Sequence, residues 1–180
     1  MFLAAGAVLA AILAVFLFTD VGTGGKSVRP TAGSPVPTFT LPALIGKGTV
    51  GVPADGGGNG RPAILLFFAS WCTPCQAEMP ALAHVYRSQQ AARSRLALVS
   101  LVGVDGSDPK ADATRFVRAS GVTFPVGTDL NYTVTQGLFG FTGLPESVFV
   151  KADGTIAGIH LGALSTGAFV SWEHKLLASG

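Results

Sequence analysis

The segment that decides the fold lies between residues 63 and 80, where an apolar stretch leads into two closely spaced cysteines: Ala63-Ile64-Leu65-Leu66-Phe67-Phe68-Ala69-Ser70-Trp71-Cys72-Thr73-Pro74-Cys75-Gln76-Ala77-Glu78-Met79-Pro80. A continuous apolar run of this kind is typical of a strand that is buried on both faces. The residues after Trp71 predict a helix that extends to about Arg93. Cys72 would then lie at the N-terminus of this helix, with Cys75 one turn further in.

The only two cysteines of the chain, Cys72 and Cys75, allow three interpretations: a redox pair, half of a metal site, or a chance pair. Zinc takes about four ligands, and His84, His160 and His174 offer no second paired spacing. A structural disulfide that closes so short a loop adds little stability. A cysteine at a helix N-terminus meets unpaired N–H groups and the positive end of the helix dipole, which lower its pKa. We therefore predict redox chemistry, with Cys72 as the nucleophile and Cys75 as the resolving thiol.

The remaining elements alternate between strands and helices. Leu96 to Val104 predicts a second buried strand, and Asp108 followed by Pro109 predicts the cap and first position of the next helix. Asp153-Gly154, between two apolar segments, predicts a β-hairpin, and Ser165 predicts the start of a closing helix. This order predicts an α/β fold with a central mixed β-sheet flanked by helices.

The first part of the chain differs from the rest in composition. Phe2 to Phe18 contains no charged residue and is just long enough to span a membrane as a helix. Because no small-X-small cleavage site follows, we expect residues 1–19 to be a transmembrane anchor, with a signal segment as the alternative. Residues 20–36 are predicted as a flexible linker and residues 37–180 as the globular domain, in which the Gly-rich residues 46–60 form a surface loop.

Charge excludes one class of function. The chain of 180 residues has a formal net charge of +2, and its Lys and Arg residues are scattered rather than clustered. Nucleic-acid-binding domains usually concentrate basic residues on one face or helix. We therefore expect no nucleic-acid partner, and the length favours one domain with a short appendage.

Three segments resemble the thioredoxin-like TlpA/ResA/CcmG family of membrane-anchored thiol-disulfide oxidoreductases. Phe67 to Pro80 resembles the active-site segment of this family. Pro37 to Lys47 resembles its N-terminal strand segment, which peroxiredoxins share, and Gly143 to Val150 resembles its cis-proline loop and following strand. The resemblance extends over Pro37 to Ala178. It implies a thioredoxin fold on the outer side of a membrane, held by one N-terminal transmembrane helix.

The same resemblance implies roles for residues around the cysteines. Glu78 matches the acid found in ResA-like proteins and is placed to exchange a proton with Cys75. Pro145 is expected to form a cis peptide bond and to face Cys72. The resemblance implies no metal and no cofactor beyond the redox-active disulfide. We expect five residues to contact the substrate: Trp71, Thr73, Pro74, Leu144 and Pro145.

Proteins of this family exchange disulfides with other proteins, many as reductants in cytochrome c maturation. We therefore expect a monomeric, single-pass protein of the cell membrane whose catalytic domain is extracytoplasmic. Its partners would be protein thiols and disulfides outside the cytoplasm and a membrane protein that donates or accepts electrons. Lys26 and Arg29, which follow the apolar run, favour a cytoplasmic domain by the positive-inside rule, but the family resemblance is the stronger indication.

Three alternative functions stay open from the sequence. A disulfide-forming oxidase would have the same fold, because sequence does not set the direction of exchange. A thiol peroxidase is disfavoured, because peroxidatic sites present Thr or Ser three residues before the reactive cysteine, where this chain has Ala69. A soft-metal-binding module would use Cys72 and Cys75 as ligands.

Overall fold

The computed structural model describes residues 29–141 and 143–180. The predicted anchor at residues 1–19 lies outside these ranges. No helix within them is long and apolar enough to cross a membrane. The described strands are β1 (Phe39–Pro42), β2 (Thr49–Val52), β3 (Ala63–Phe68), β4 (Ser100–Gly106), β5 (Val126–Asp129), β6 (Glu146–Val150) and β7 (Ile156–Leu161), and the helices are α1 (Thr73–Ala91), α2 (Lys110–Ala119) and α3 (Thr166–Ala178).

The central sheet has five strands in the order β5-β4-β3-β6-β7. Strands β3, β4 and β5 run parallel, whereas β6 is antiparallel to β3 and β7 is antiparallel to β6. Every residue of β3 is buried, as its continuous apolar sequence predicted. The α/β class and the mixed sheet are therefore confirmed.

The two faces of the sheet are covered by different elements. On one face, residues of all three helices pack against Ile64, Leu66 and Phe68 in a cluster that also contains both cysteines. On the other face, Ala63, Leu65 and Phe67 contact the β1-β2 hairpin and the aromatic rings of residues 139 and 141. The cysteines thus lie at the end of the central strand, on the helical face.

Local signals placed two further elements correctly. Asp153-Gly154 lies in the turn between β6 and β7, where Gly154 has a φ of 87° that suits glycine. The Ser165 hydroxyl accepts a hydrogen bond of 3.2 Å from the Ala168 amide and caps α3.

Two predicted boundaries were wrong. The strand predicted from Leu96 begins at Ser100, because the Ser94 hydroxyl accepts a hydrogen bond from the Leu96 amide and caps a 3-10 helix at residues 95–98. Helix α2 begins at Lys110 with Pro109 as its N-cap. The Asp108 carboxylate does not cap this helix, because it accepts hydrogen bonds from Ser70 instead.

The segments ahead of β3 are more structured than the sequence predicted. The Gly-rich segment at residues 46–60 contains β2, which pairs with β1. Residues 33–36, placed in the linker by the sequence, are bonded to the last hairpin: Gly33 N–H donates to the Ile156 carbonyl and Val36 N–H to the Gly154 carbonyl, both at 2.9 Å. The structured domain therefore begins before Pro37.

Candidate active site

The two cysteines form a disulfide at the N-terminus of α1, which follows β3 after a short turn. Their Cα atoms are 5.2 Å apart, and Cys72 is the N-cap of the helix. The Cys75 amide donates a hydrogen bond of 3.3 Å to the Cys72 sulfur. An amide in this position stabilises a thiolate when the pair is reduced, so the geometry favours Cys72 as the more acidic thiol.

The disulfide is almost fully buried, and exposed residues lie beside it in the sequence. Cys75 is fully buried, and Cys72 is only 4% exposed. Thr73 and Pro74 are exposed beside it, and the Trp71 side chain is 59% exposed. The three predicted contact residues of this segment are therefore exposed next to the cysteine pair.

Glu78 is a buried acid in α1, one helical turn beyond Cys75. Its Oε2 accepts a hydrogen bond of 2.5 Å from the Leu164 amide, in the loop before α3. Burial raises the pKa of Glu78 to about 7, although the hydrogen bond from Leu164 acts in the opposite direction. A carboxyl group with this pKa can either accept or release a proton near neutral pH.

The predicted loop around Pro145 lies beside the ends of β3 and β4. The Leu144-Pro145 peptide bond is cis, as predicted. The Leu144 side chain packs against the cluster that contains the cysteines, and its Cδ1 lies over Gly106 at the end of β4. No backbone hydrogen bond joins Leu144 to another residue of the described ranges. Its amide and carbonyl therefore have no backbone partner in that part of the chain.

Leu161 was missed by the sequence analysis. Its side chain is 62% exposed at the end of β7 and lies against Gly143, next to Leu144. An exposed leucine is uninformative on its own, but its position beside the Pro145 loop adds apolar surface to this edge of the site.

Glu146 and Arg29 were also missed. Glu146 is 1% exposed and directly follows Pro145, and its carboxylate forms an ion pair with Arg29. The Arg29 guanidinium also lies over the Phe141 ring, 5.2 Å from its centroid. Burial raises the pKa of Glu146, and the charge of Arg29 opposes this shift. Nothing in the sequence indicated the pairing, because the two residues are 117 positions apart.

No metal site is evident in the part of the chain that the structure describes. Within residues 29–141 and 143–180, no three His, Cys, Asp or Glu side chains are grouped so that they could hold a metal ion. Both sulfur atoms are bonded to each other, so neither is available as a thiolate ligand in this state.

The fold is thioredoxin-like, and its site is a disulfide-bonded cysteine pair at a helix N-terminus. Residues 32–159 match the AhpC/TSA family, and the chain belongs to this family. The resemblance noted in the sequence is confirmed by two relatives. Thiol-disulfide oxidoreductase ResA of Oceanobacillus iheyensis is 35% identical over 59% of this chain and 53% of its own length. Thiol:disulfide interchange protein CycY of Rhizobium leguminosarum bv. viciae is 30% identical over 73% of this chain and 68% of its own.

Solved structures confirm the fold. A putative thiol:disulfide interchange protein DsbE from Chlorobium tepidum superposes with a TM-score of 0.67 at 24% identity, covering 85% of this chain and all of that one. The dsbF protein of MTB gives a TM-score of 0.66 at 28% identity, over 78% of this chain and 98% of its own. The chain spans little more than half the length of ResA from O. iheyensis and from Halalkalibacterium halodurans, at 53% and 57%.

Proposed function

We propose that this chain reduces disulfides of partner proteins outside the cytoplasm, in a role like that of the reductants of cytochrome c maturation. The observation that carries the proposal is the Cys72–Cys75 disulfide at the N-terminus of α1, with the Cys75 amide directed at the Cys72 sulfur. The names of the relatives, ResA and CycY, describe thiol-disulfide exchange and support the same chemistry.

The first step begins from the reduced pair. The Cys72 thiolate attacks one sulfur of the partner disulfide, so a bond forms between the Cys72 sulfur and that sulfur while the partner's own S–S bond breaks. The departing partner sulfur leaves as a thiolate and takes a proton from water. The amide of Cys75 favours this step, because it stabilises the attacking thiolate.

The second step releases the partner. The Cys75 thiol gives its proton to the Glu78 carboxylate, and its sulfur then attacks the Cys72 sulfur. The mixed disulfide breaks, the partner leaves with both of its sulfur atoms reduced, and the Cys72–Cys75 disulfide is formed. Two electrons have passed from the cysteine pair to the partner. A dithiol of a membrane electron-donor protein would return the pair to the reduced state by the same steps in reverse.

The partner would dock on the surface that surrounds the disulfide. The amide and carbonyl of Leu144, which have no backbone partner among the described residues, can pair with an extended segment of the partner, as an added strand pairs with a sheet edge. Trp71 and Leu161 provide exposed apolar surface for its side chains. Thr73, Pro74 and Pro145 complete the proposed substrate-binding set.

The membrane position is part of the proposal. Residues 1–19 would anchor the chain as a single helix, and the domain would act as a monomer on the extracytoplasmic side. The apolar sequence of residues 2–18 supports the anchor, and the family resemblance supports the orientation.

The equilibrium redox potential of the Cys72–Cys75 pair tests the direction of exchange. Reductants of the thioredoxin kind have potentials near about −270 mV, and strong oxidants have potentials near about −120 mV. Equilibration of the chain with dithiol buffers of graded potential should place the pair close to the reductants. A potential above roughly −160 mV, well toward the oxidant value, would assign the oxidase function instead. Consumption of hydrogen peroxide by the chain would assign the peroxidase function instead. The sequence disfavours that function, because Ala69 occupies the position where peroxidatic sites present Thr or Ser.

A further inference from the structure

A buried group of carboxyls lies beneath the turn that leads into the active site. Asp105 lies near the end of β4, and its partner across the parallel ladder is Phe68, the last residue of β3. Asp108 follows in the loop after β4, and Asp129 is the last residue of β5. Each of the three aspartates is at most 1% exposed. Buried acids of this kind need hydrogen-bond partners or a proton.

Asp108 holds the active-site turn directly. Its Oδ2 accepts a hydrogen bond of 2.5 Å from the Ser70 amide, and its Oδ1 accepts one of 3.1 Å from the Ser70 hydroxyl. The Ser70 carbonyl in turn accepts a hydrogen bond of 2.6 Å from the Gln76 side chain. Ser70 is two residues before Cys72, so these contacts fix the backbone that leads to the nucleophile.

Asp105 has no comparable set of donors. Both of its carboxyl oxygens are buried and have no hydrogen-bond partner among the described residues, although the neighbouring Asp108 acts on its charge. Because Asp105 is buried without a partner in this part of the chain, its carboxyl is stable in the neutral, protonated form. The Asp129 carboxylate is already satisfied by donors from Thr133, Val134 and Thr135.

The surroundings of Asp105 identify it as the carboxyl that holds the proton. Burial is the largest cause that raises the pKa of Asp105 to about 8, and the neighbouring Asp108 and Asp129 raise it further. The charged groups that act on it are these two acids, one from the loop after β4 and one from β5. The ring of Tyr132 lies beside the next residue, Gly106.

We propose that Asp105 and Asp108 are positioning residues for Cys72: Asp108 holds the Ser70 turn in the geometry that places Cys72 at the N-terminus of α1, and Asp105 supports this contact by staying neutral beside Asp108. This inference rests on the proposed role of Cys72 as the nucleophile. Loss of the Asp105 proton adds a negative charge beside Asp108. The resulting repulsion weakens the hold of Asp108 on Ser70.

The test measures the rate at which iodoacetamide alkylates Cys72 across a pH series. Every protein is the reduced full chain with Cys75→Ser, so that Cys72 is the reporting thiol. Asp108→Asn should slow alkylation about tenfold, the size expected for loss of a hydrogen bond to a charged group. Ser70→Ala, which keeps the amide contact, should slow it less. Asp112→Asn is the matched control, because Asp112 is a half-exposed acid of α2 whose ion pair is with Arg115.

Asp105→Asn separates positioning from a purely structural effect. Its side chain is neutral and cannot lose a proton in this range, so it adds no charge beside Asp108. The parent protein should therefore show alkylation that decreases above a pH of about 8, whereas Asp105→Asn should keep its plateau. This comparison holds even if Asp108→Asn folds poorly. Equal rates in Asp108→Asn and Asp112→Asn, or an unchanged decrease in Asp105→Asn, would overturn the inference. A parent Cys72 that fails to react at any pH would instead contradict the proposed function.

Discussion

The Leu164 amide donates a 2.5 Å hydrogen bond to Oε2 of Glu78 and so fixes a buried acid of α1 to the loop before α3. The bond holds the carboxyl one helical turn beyond Cys75. It also leaves the other oxygen, Oε1, for the proposed proton exchange with Cys75. Since burial raises the pKa of Glu78 to about 7, the group is partly ionised at neutral pH.

The first prediction is that Glu78→Gln slows the second step of exchange. The Gln carbonyl can still accept from the Leu164 amide, but the side chain cannot take the Cys75 proton. We expect oxidation of the reduced chain by a small disulfide to slow by roughly 100-fold, the lower end for a lost general base. The inflection of this rate near pH 7 should disappear.

Glu173→Gln is the matched control for this measurement. Glu173 is also a buried acid whose pKa burial raises to about 7, but it lies in α3 and bonds to Gln89 near the far end of α1. Its substitution should leave the rate and the pH inflection unchanged. If both variants behave alike, Glu78 has no specific role in proton transfer.

The second prediction concerns the pH dependence of stability. The Gln89 amide donates a hydrogen bond of 2.7 Å to Oε2 of Glu173, while Oε1 of each side chain has no partner among the described residues. A protonated Glu173 would pair these two oxygens as donor and acceptor. Because the folded pKa of about 7 exceeds the ordinary 4.5, the folded state binds this proton more tightly than the unfolded state. The free energy of unfolding should therefore decrease as pH rises from about 4.5 to about 7.

Urea unfolding at intervals across this range checks the prediction. One such group contributes at most about 1.4 kcal/mol per pH unit within the window. Because burial also raises the pKa of Glu78, this residue makes the free energy of unfolding decrease over the same pH range. The contribution of Glu173 is therefore obtained by comparing the parent chain with Glu173→Gln. The variant should lose stability less steeply with pH. Parallel curves would show that Glu173 is not protonated in the folded state.

The third prediction is that Arg29→Gln destabilises the domain. The substitution leaves the Glu146 carboxylate buried without its ion-pair partner. Removal of one partner from a buried pair costs about 3 to 5 kcal/mol, and the partial exposure of Arg29 reduces this to roughly 1 to 3 kcal/mol. Arg115→Gln, which breaks the exposed pair with Asp112, should cost less than about 1 kcal/mol. Equal losses in denaturant unfolding would show that the Arg29 pair contributes no more than a surface pair.

The fourth prediction concerns the docking surface. Leu161→Ser should raise the KM for a disulfide-bonded protein substrate several-fold and leave alkylation of Cys72 unchanged, because only apolar contact with the partner is lost. Leu98→Ser is the control: Leu98 is similarly exposed, at 56%, but lies before the start of β4, at the opposite end of the sheet. The same change in KM for both variants would place docking elsewhere.

The parts of the fold that the sequence predicted correctly depend on short-range signals. A fully apolar run predicted β3, and the pair Asp153-Gly154 predicted a turn that few other dipeptides favour. Cys72 was placed at a helix N-terminus because its segment follows this strand directly. The start of β4 was predicted too early. A short apolar sequence suits a 3-10 helix as well as a buried strand, and the Ser94 cap selects the 3-10 helix at residues 95–98.

The parts of the site that were missed depend on contacts between distant residues. Asp108 has the sequence pattern of a helix cap, but its carboxylate is bonded to Ser70, which is 38 positions earlier. Arg29 and Glu146 come together only because residues 33–36 are bonded to the last hairpin. No local pattern of sequence encodes such pairs, since they follow from the assembled sheet.

The central claim is that Cys72 attacks and Cys75 resolves. The most direct test incubates the reduced Cys75→Ser and Cys72→Ser variants with a disulfide-bonded peptide and counts covalent adducts by mass spectrometry. Cys75→Ser should accumulate a stable mixed disulfide through Cys72, because only the resolving thiol is missing. Cys72→Ser should form almost none, because Cys75 is fully buried and lies inside the helix. Equal adducts on both variants, or adducts on Cys72→Ser alone, would contradict the account.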